Sequence, residues 1–157
     1  MLRNRRRAVL GRALAAMAGA VALTAGATGL DALKDRQAHM KGLGAAAKAL
    51  GEQFHSGAPD KAVVKLQADR IFVAAKAMDA WFPRGSGVEA GAKTRALPAI
   101  WTDPAGFVEA QKRLFVAAEA LDAAADSGDM AAVGAQMRPV GEACKGCHDK
   151  FREPDKS

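Results

Sequence analysis

The strongest constraint on this chain is a regular series of positions near its C-terminus. The series steps alternately by three and four residues and comprises Met130, Val133, Met137, Val140, Cys144, Cys147 and Phe151. In an α-helix this spacing places the side chains along one seam, as in helices that pack in bundles. The segment is therefore predicted to be a packed helix, and both cysteine side chains are predicted to face the interior.

Helical periodicity also runs through the chain after about Leu30. A first helix is predicted over about 30–54 and a second over about 60–80, because Gly57 and Pro59 interrupt the pattern between them. The inward face of the second helix is predicted to comprise Val63, Leu66, Val73 and Ala77.

A long connection rich in glycine follows the second helix and ends at Asp103. Asp103 can cap a third helix, for which Pro104 suits the first position, and Gly128 separates this helix from the fourth. Aromatic residues make up only 5% of the chain, tyrosine is absent, and no segment alternates as a strand would. The fold class predicted is an all-α, antiparallel four-helix bundle. Its seams are rich in alanine, glycine and methionine, so something else is expected to fill its middle.

The first 27 residues have the character of an export signal rather than of a nucleic-acid-binding arm. They carry five arginines and no acid, followed by the apolar stretch "ALAAMAGAVALTAGA", and this leaves 18 basic and 17 acidic residues in the rest. The pattern predicts a cleaved signal peptide over 1–27 and a bundle domain over 28–157. An uncleaved anchor is the alternative. The general secretory route is favoured over twin-arginine export, which carries folded proteins.

The segment "ACKGCHDKF" holds the only two cysteines of the chain, Cys144 and Cys147, and His148 follows the second. Cys-x-x-Cys-His is the attachment motif for c-type haem. Two thiols at this spacing lie on one side of a helical turn and can add to the two vinyl groups of the porphyrin. The adjacent imidazole can then bind the iron. One covalent haem c, near the C-terminus of the bundle, is therefore the predicted cofactor.

The sequence disfavours three other uses of the cysteines. A thiol redox pair needs a lowered thiol pKa at a helix N-terminus, and this pair lies deep in a C-terminal helix. A zinc site needs a fourth ligand, but His39 and His55 do not have metal-ligand spacing. A disulfide across one helical turn would stabilise almost nothing. His39 is interpreted as a surface residue, and His55 as a helix-end residue without a function.

Several stretches together resemble class II c-type cytochromes, the cytochrome c′ and cytochrome c-556 group. They are "CKGCHDKFR" at the C-terminus, "RQAHM" in the first helix, and "FPRGS" and "TRALPAIWTDPAGF" before and into the third helix. The resemblance covers about residues 30–152. Ordinary class I cytochromes c carry their haem motif near the N-terminus, so its C-terminal position is diagnostic.

The resemblance implies roles for ten residues. Cys144 and Cys147 would hold the haem, His148 would be the proximal iron ligand, and Arg152 would lie near the proximal face. The remaining positions would contact the haem, its propionates or its distal side, and they are Arg36, Gln37, Met40, Phe82, Thr94 and Arg95. Taken alone, Arg36 could be a solvated helix residue and Met40 a core filler.

Two functions share this fold, and the sixth iron position separates them. If Met40 only crowds the distal face, the iron is five-coordinate, and the protein is a cytochrome c′ that binds NO or CO. If Met40 binds the iron, the protein is a low-spin electron carrier of the c-556 type. The "RQ" pair and "TRALP" favour the c′ branch. A third possibility, of another class, is a non-redox helical binding protein with a coincidental motif, which would be colourless.

The same interpretation predicts the location, the partners and the oligomeric state of the protein. A periplasmic location is predicted, with a redox partner that the sequence does not identify and with no nucleic-acid partner. Enzyme activity is not expected, because an axial histidine beside an apolar distal side lacks the acid-base residues of a peroxidase. The resemblance also implies a homodimer that pairs through the first two helices.

Overall fold

The computed structural model describes residues 22–154, and five α-helices account for most of them. The helices are α1 (Ala22–His55), α2 (Lys61–Ala77), α3 (Ala99–Thr102), α4 (Pro104–Ser127) and α5 (Met130–Phe151). Two 3₁₀ turns, Met78–Trp81 and Val88–Ala90, lie in the long connection after α2. The four long helices α1, α2, α4 and α5 form the antiparallel bundle, which confirms the predicted fold class.

Side-chain caps begin three of the long helices, and of these caps the one at Asp103 was predicted. The Asp60 carboxylate accepts hydrogen bonds from the backbone N–H groups of Ala62 and Val63 at 2.8 and 3.0 Å. Asp103 caps α4 through the N–H of Gly106 at 3.0 Å, and Asp129 caps α5 in the same way. Such caps satisfy donors that a helix leaves unpaired at its start. The helix boundaries are therefore set by local chemistry.

The main core lies between the four long helices, and the most extensive contacts join α4 to α5, α2 to α4 and α1 to α2. The inward face predicted for α2 is wrong: Leu66 and Val73 are 46% and 55% exposed, and Ala77 is exposed too. The buried residues of α2 are Val64, Gln67, Ala68, Ile71 and Ala75. Apolar residues stand at helical spacing on both sides of this helix, so periodicity alone does not identify the packed side.

The predicted signal peptide lies largely outside the described residues, since 1–21 are not among them and α1 begins at Ala22. Among the helices that the structure describes, none combines the length and the apolar character that a membrane span requires.

Candidate functional site

The C-terminal end of α5 carries the two cysteines and the histidine, and all three side chains are half-buried. Both thiols are free. Cys144 packs against the main core, whereas Cys147, one turn later, packs against a smaller cluster of Ile100, Phe107 and Phe151. The seam of α5 therefore holds both sulfurs against the interior, as its spacing predicts.

A cavity of about 230 Å³ lies between α1, the long connection and the end of α5. Nine of the ten residues predicted for the site line it, and they are Arg36, Gln37, Met40, Phe82, Thr94, Arg95, Cys147, His148 and Arg152. Cys144, the tenth, lies one turn before this group on α5. Residues from three separate segments of the chain thus meet where the resemblance places a haem.

Arg36 is the most constrained polar side chain of the cavity, because only 3% of its surface is exposed. Its guanidinium donates hydrogen bonds to the hydroxyl and the carbonyl of Ser86, both at 2.7 Å, and to the Thr94 hydroxyl at 3.3 Å. Burial lowers the pKa of Arg36, and the charge of Glu89 partly opposes this effect. The hydrogen bonds to Ser86 and Thr94 are to neutral oxygens, so this buried cation would gain from a further anion beside it. The interpretation of Arg36 as a solvated residue is therefore wrong.

The loop that carries Thr94 and Arg95 is attached to the end of α5 by backbone hydrogen bonds. The Leu97 N–H donates to the Phe151 carbonyl at 3.0 Å, and the Glu153 N–H donates to the Arg95 carbonyl at 2.8 Å. Gln37, whose side chain is exposed, donates to the Lys93 carbonyl at 2.8 Å and ties the same loop to α1. These bonds hold both edges of the cavity in place.

Aromatic rings form the inner wall of the cavity. Phe107 packs edge to face against Phe82 at 4.8 Å and against Phe151 at 5.1 Å between ring centroids. The Trp101 indole donates a hydrogen bond to the Phe82 carbonyl at 3.1 Å and so fixes the turn before this wall. Phe151 was predicted only as a seam position of α5, but it serves the core and the cavity together, and Phe107 does the same.

Other residues of the site were not predicted. Ala96 and Ile100 line the cavity, and fully buried Ser86 holds Arg36. Ser86 stands in the glycine-rich stretch "RGSG", where no periodicity distinguishes a buried residue from an exposed one. Ser86 reaches Arg36 because the connection passes close to α1 near Gly29.

The environment of the two thiols disfavours reactive-thiolate chemistry. Burial raises the pKa of both, and it raises that of Cys147 to about 11, with a smaller contribution from neighbouring Cys144. Redox-active pairs instead have lowered thiol pKa values. Over residues 22–154, no three His, Cys, Asp or Glu side chains are grouped so that they could hold a metal ion.

The residues present fit a haem. Two free thiols one helical turn apart match the two vinyl groups, and the adjacent imidazole is a suitable iron ligand. Aromatic and aliphatic side chains offer an apolar surface to the macrocycle, and buried Arg36 offers a cation to its carboxylates. The structure thus supports the cofactor on the chemistry of its side chains.

Comparison with known proteins agrees with this assignment. A family model described as Cytochrome C' matches residues 31–152. The chain is 35% identical over 123 residues to a cytochrome c′ of Rhodopseudomonas palustris, a match that covers 78% of this chain and 82% of that protein. It is 48% identical over 69 residues to a cytochrome c′ of Rubrivivax gelatinosus, a match that covers 44% of this chain and 54% of that protein.

Solved structures share the fold closely. A cytochrome c′ from Thermochromatium tepidum superposes with a TM-score of 0.75 at 27% identity, covering 80% of this chain and 97% of that one. A nitric oxide complex of a cytochrome c prime variant from Alcaligenes xylosoxidans gives 0.71 at 29% identity, covering 80% and 95%. A further cytochrome c′, with ligand-controlled dimer dissociation, gives 0.73 at 26% identity, covering 80% and 97%.

Proposed function

The chain belongs to the cytochrome c′ family, and on that premise we propose how its residues serve a haem-binding cytochrome. It carries one covalent haem c, as this family does. We propose that Cys144 and Cys147 form the two thioether bonds and that His148 binds the iron. Bound haem supplies a redox-active iron with a coordination position for a diatomic gas. The protein residues hold this group, shield it from water and decide what reaches it.

We propose that the protein binds NO or CO at a five-coordinate site, with Met40 crowding the distal face. The helices α1 and α5 are antiparallel, and Gly51 faces Met137 while Gly134 faces Phe54. Both helices rise by the same amount per residue, so the same pairing extended along them brings Met40 of α1 level with His148 of α5. The observation that carries the proposal is that Met40 and Phe82 form an apolar wall of the cavity that His148 also lines. The nitric oxide complex of the Alcaligenes protein supports the same chemistry here.

The test is a visible absorption spectrum of the matured protein, oxidised and reduced, beside a Met40→Ala variant. A five-coordinate site predicts a high-spin spectrum in both proteins, because Met40 is not an iron ligand. Met137→Ala is the matched control, since Met137 is also half-buried but lies towards the other end of the bundle. A low-spin wild type that becomes high-spin only in Met40→Ala would contradict the proposal.

That contradictory result would establish the second candidate function, a low-spin electron carrier of the c-556 type. One observation favours this second function: Met40 is half-buried at the cavity, so a thioether is present where a sixth ligand would be needed. Electron transfer itself is compatible with both coordination states, and the redox partner is not identified by the site.

We propose that Arg36 and Thr94 interact with the carboxylates of the bound group. Arg36 has five N–H donors, and three hydrogen bonds with Ser86 and Thr94 use only part of them. Arg95 and Arg152 line the same cavity and add positive charge to it, while Gln37 holds the loop. This set makes the cavity cationic at its rim and apolar inside.

We propose no catalytic turnover for this site. Among the described residues that line the cavity, none carries a carboxylate that could act as a general acid or base beside Met40. The side chains opposite His148 would limit the access of gas and water to the iron, and they would not supply protons.

We propose that residues 1–27 direct export, that the mature domain begins near residue 28, and that the protein works in the periplasm. The arginine-rich start and the apolar stretch after it support export. Attachment outside the cytoplasm also fits two thiols that burial would keep protonated once the chain has folded.

We propose a homodimer that pairs through α1 and α2. A groove of about 690 Å³ runs between these helices, and half of its lining is alanine or glycine, with exposed Val73, Asp69 and Arg70 among the rest. The relative with ligand-controlled dimer dissociation supports a dimer, and the choice of α1 and α2 rests on the groove. Sedimentation of the wild type and of a Val73→Glu variant tests it, since a second acidic side chain near Asp69 in a packed interface should give a monomer.

A further inference from the structure

A stacked pair of rings lies outside the cavity, between α1 and the turn that follows α2. The ring of His39 lies 4.7 Å from the ring of Trp81 between centroids, and the two planes differ by 11°. His39 is exposed, and Trp81 is half-buried and packs against the main core. Both line the groove between α1 and α2, and neither lines the cavity. His39 is thus a surface residue, as predicted, and it also makes a specific ring contact that was not predicted.

Each ring is joined directly to a residue of the cavity wall. Met40 follows His39 on α1, and Phe82 follows Trp81 at the end of the 3₁₀ turn. Met40 and Phe82 both line the cavity and both pack against the main core. The stack thus connects two segments of the chain at the level where they form the distal wall.

The backbone of α1 just beyond Met40 has little support of its own. Gly42 and Gly44 both lie in this helix, and a Cβ atom added at either would meet nothing within 4 Å. Close packing therefore does not require glycine at these positions. Because glycine inside a helix is less favourable than alanine, this part of α1 depends on its tertiary contacts. The contact between His39 and Trp81 is one of them.

We propose that the His39–Trp81 stack is a positioning element for the gas site. By holding α1 against the turn after α2, it keeps Met40 and Phe82 together as a closed distal wall and so limits how fast a ligand reaches the iron. The proposal rests on the proposed gas-binding function and extends it to two residues that do not touch the ligand. Stacked aromatic pairs contribute enough interaction energy to shift a local open and closed equilibrium several-fold.

The experiment measures CO association with the reduced holoprotein in wild type, His39→Ala and His39→Phe. His39→Ala removes the stack, and the CO association rate is expected to rise three- to tenfold. His39→Phe retains an aromatic ring and is expected to remain within twofold of wild type. His55→Ala is the matched control, because His55 is an exposed histidine at the far end of the same helix.

Rates are compared at two protein concentrations, so that an effect through dimer dissociation would appear as a concentration dependence. A His39→Ala rate within twofold of wild type would overturn the proposal. It would also be overturned if the rise depended on concentration, or if His39→Phe behaved like His39→Ala, because the aromatic contact would then not be the cause.

Amide hydrogen exchange of the same holoproteins gives a readout that does not depend on gas binding. Loss of the stack is expected to speed exchange over residues 40–44 several-fold and to leave the amides of α4 unchanged. Unchanged exchange over 40–44 would overturn the positioning role. Wild-type protein that binds no CO would overturn the proposed gas-binding function instead, and the exchange result would then decide the positioning role by itself.

Discussion

The two ends of the bundle are built from the same four helices but are closed in different ways. At the end where α1 meets α5 near Phe54, hereafter the closed end, Val64, Leu121 and Val133 are fully buried and fill the space. At the other end, hereafter the cavity end, a buried guanidinium, a serine and a loop surround a cavity. The closed end thus depends on apolar packing, whereas the cavity end depends on hydrogen bonds that keep a space open. Damage to the first should lower stability, and damage to the second should alter the site.

The largest expected effect is a loss of stability at the closed end. Leu121→Ala should lower the free energy of unfolding by about 3 kcal/mol, because it leaves a cavity in a fully buried cluster. The visible spectrum of the haem should not change, since Leu121 lies far along α4 from the site. Urea unfolding and absorption spectra check both parts.

Val116→Ala on the same helix is the control, because Val116 is 53% exposed and should change stability by less than about 0.5 kcal/mol. An altered haem spectrum in Leu121→Ala would show that the two ends are not independent.

A smaller effect is expected at the cavity end, where α1 and the connection approach closely. A Cβ atom at Gly29 would lie 2.3 Å from the Gly85 carbonyl oxygen, so Gly29→Ala must displace the backbone that leads to Ser86. A cost of about 2 kcal/mol is expected from overpacking. Because Ser86 holds Arg36, the haem spectrum should change as well.

Gly44→Ala is the matched control for this variant. It replaces a glycine of the same helix at a position where the new Cβ meets nothing within 4 Å, so it should stabilise the protein by roughly 0.5–1 kcal/mol. If the spectrum of Gly29→Ala matched the wild type, the contact with Gly85 would not be part of the site.

The same contrast explains which features the sequence could predict. The seam of α5 and the cap at Asp103 are local patterns, and the structure confirms them, whereas the cap at Asp129 is equally local but was not predicted. Three of the ten site residues followed from the cysteine and histidine motif and seven from the resemblance, and the structure brings nine of the ten to one cavity. Their individual roles stay predictions.

Features that depend on the path of the chain in space were missed or mistaken. Ser86 and Gly29 matter because the connection passes close over α1, and no local signal records that approach. The packed side of α2 was mistaken because apolar residues occupy both of its sides, and only its neighbours α1 and α4 decide which side is buried.

The smallest expected effect is a pH-dependent one at the junction of α4 and α5, near the cavity end. Lys150 lies two residues beyond His148, and its side chain donates a hydrogen bond to the Asp103 carboxylate at 2.6 Å. The Gly106 N–H donates to the same carboxylate. Both hydrogen bonds lower the pKa of Asp103 from its ordinary value of 3.8, and the bond from Lys150 has the larger effect. Because the folded state favours the charged carboxylate, its stabilising contribution is complete above the ordinary pKa. It is lost as the pH falls below about 4 through the lowered value.

Asp103→Asn should therefore be less stable than wild type at pH 7, and the difference should shrink as the pH falls towards 3. Urea midpoints measured over that range test this expectation.

Asp60→Asn is the matched comparison, because Asp60 is also a helix cap, accepts from two backbone amides and lies at the closed end. Added salt should reduce the Asp103 difference at pH 7, since the pair with Lys150 is exposed to solvent. A difference that was the same at pH 3 and pH 7 would contradict the lowered pKa, because both hydrogen bonds favour the charged carboxylate. A difference that shrank at low pH but did not respond to salt would assign the effect to the Gly106 cap, and Lys150 would then have no part in joining α5 to the start of α4.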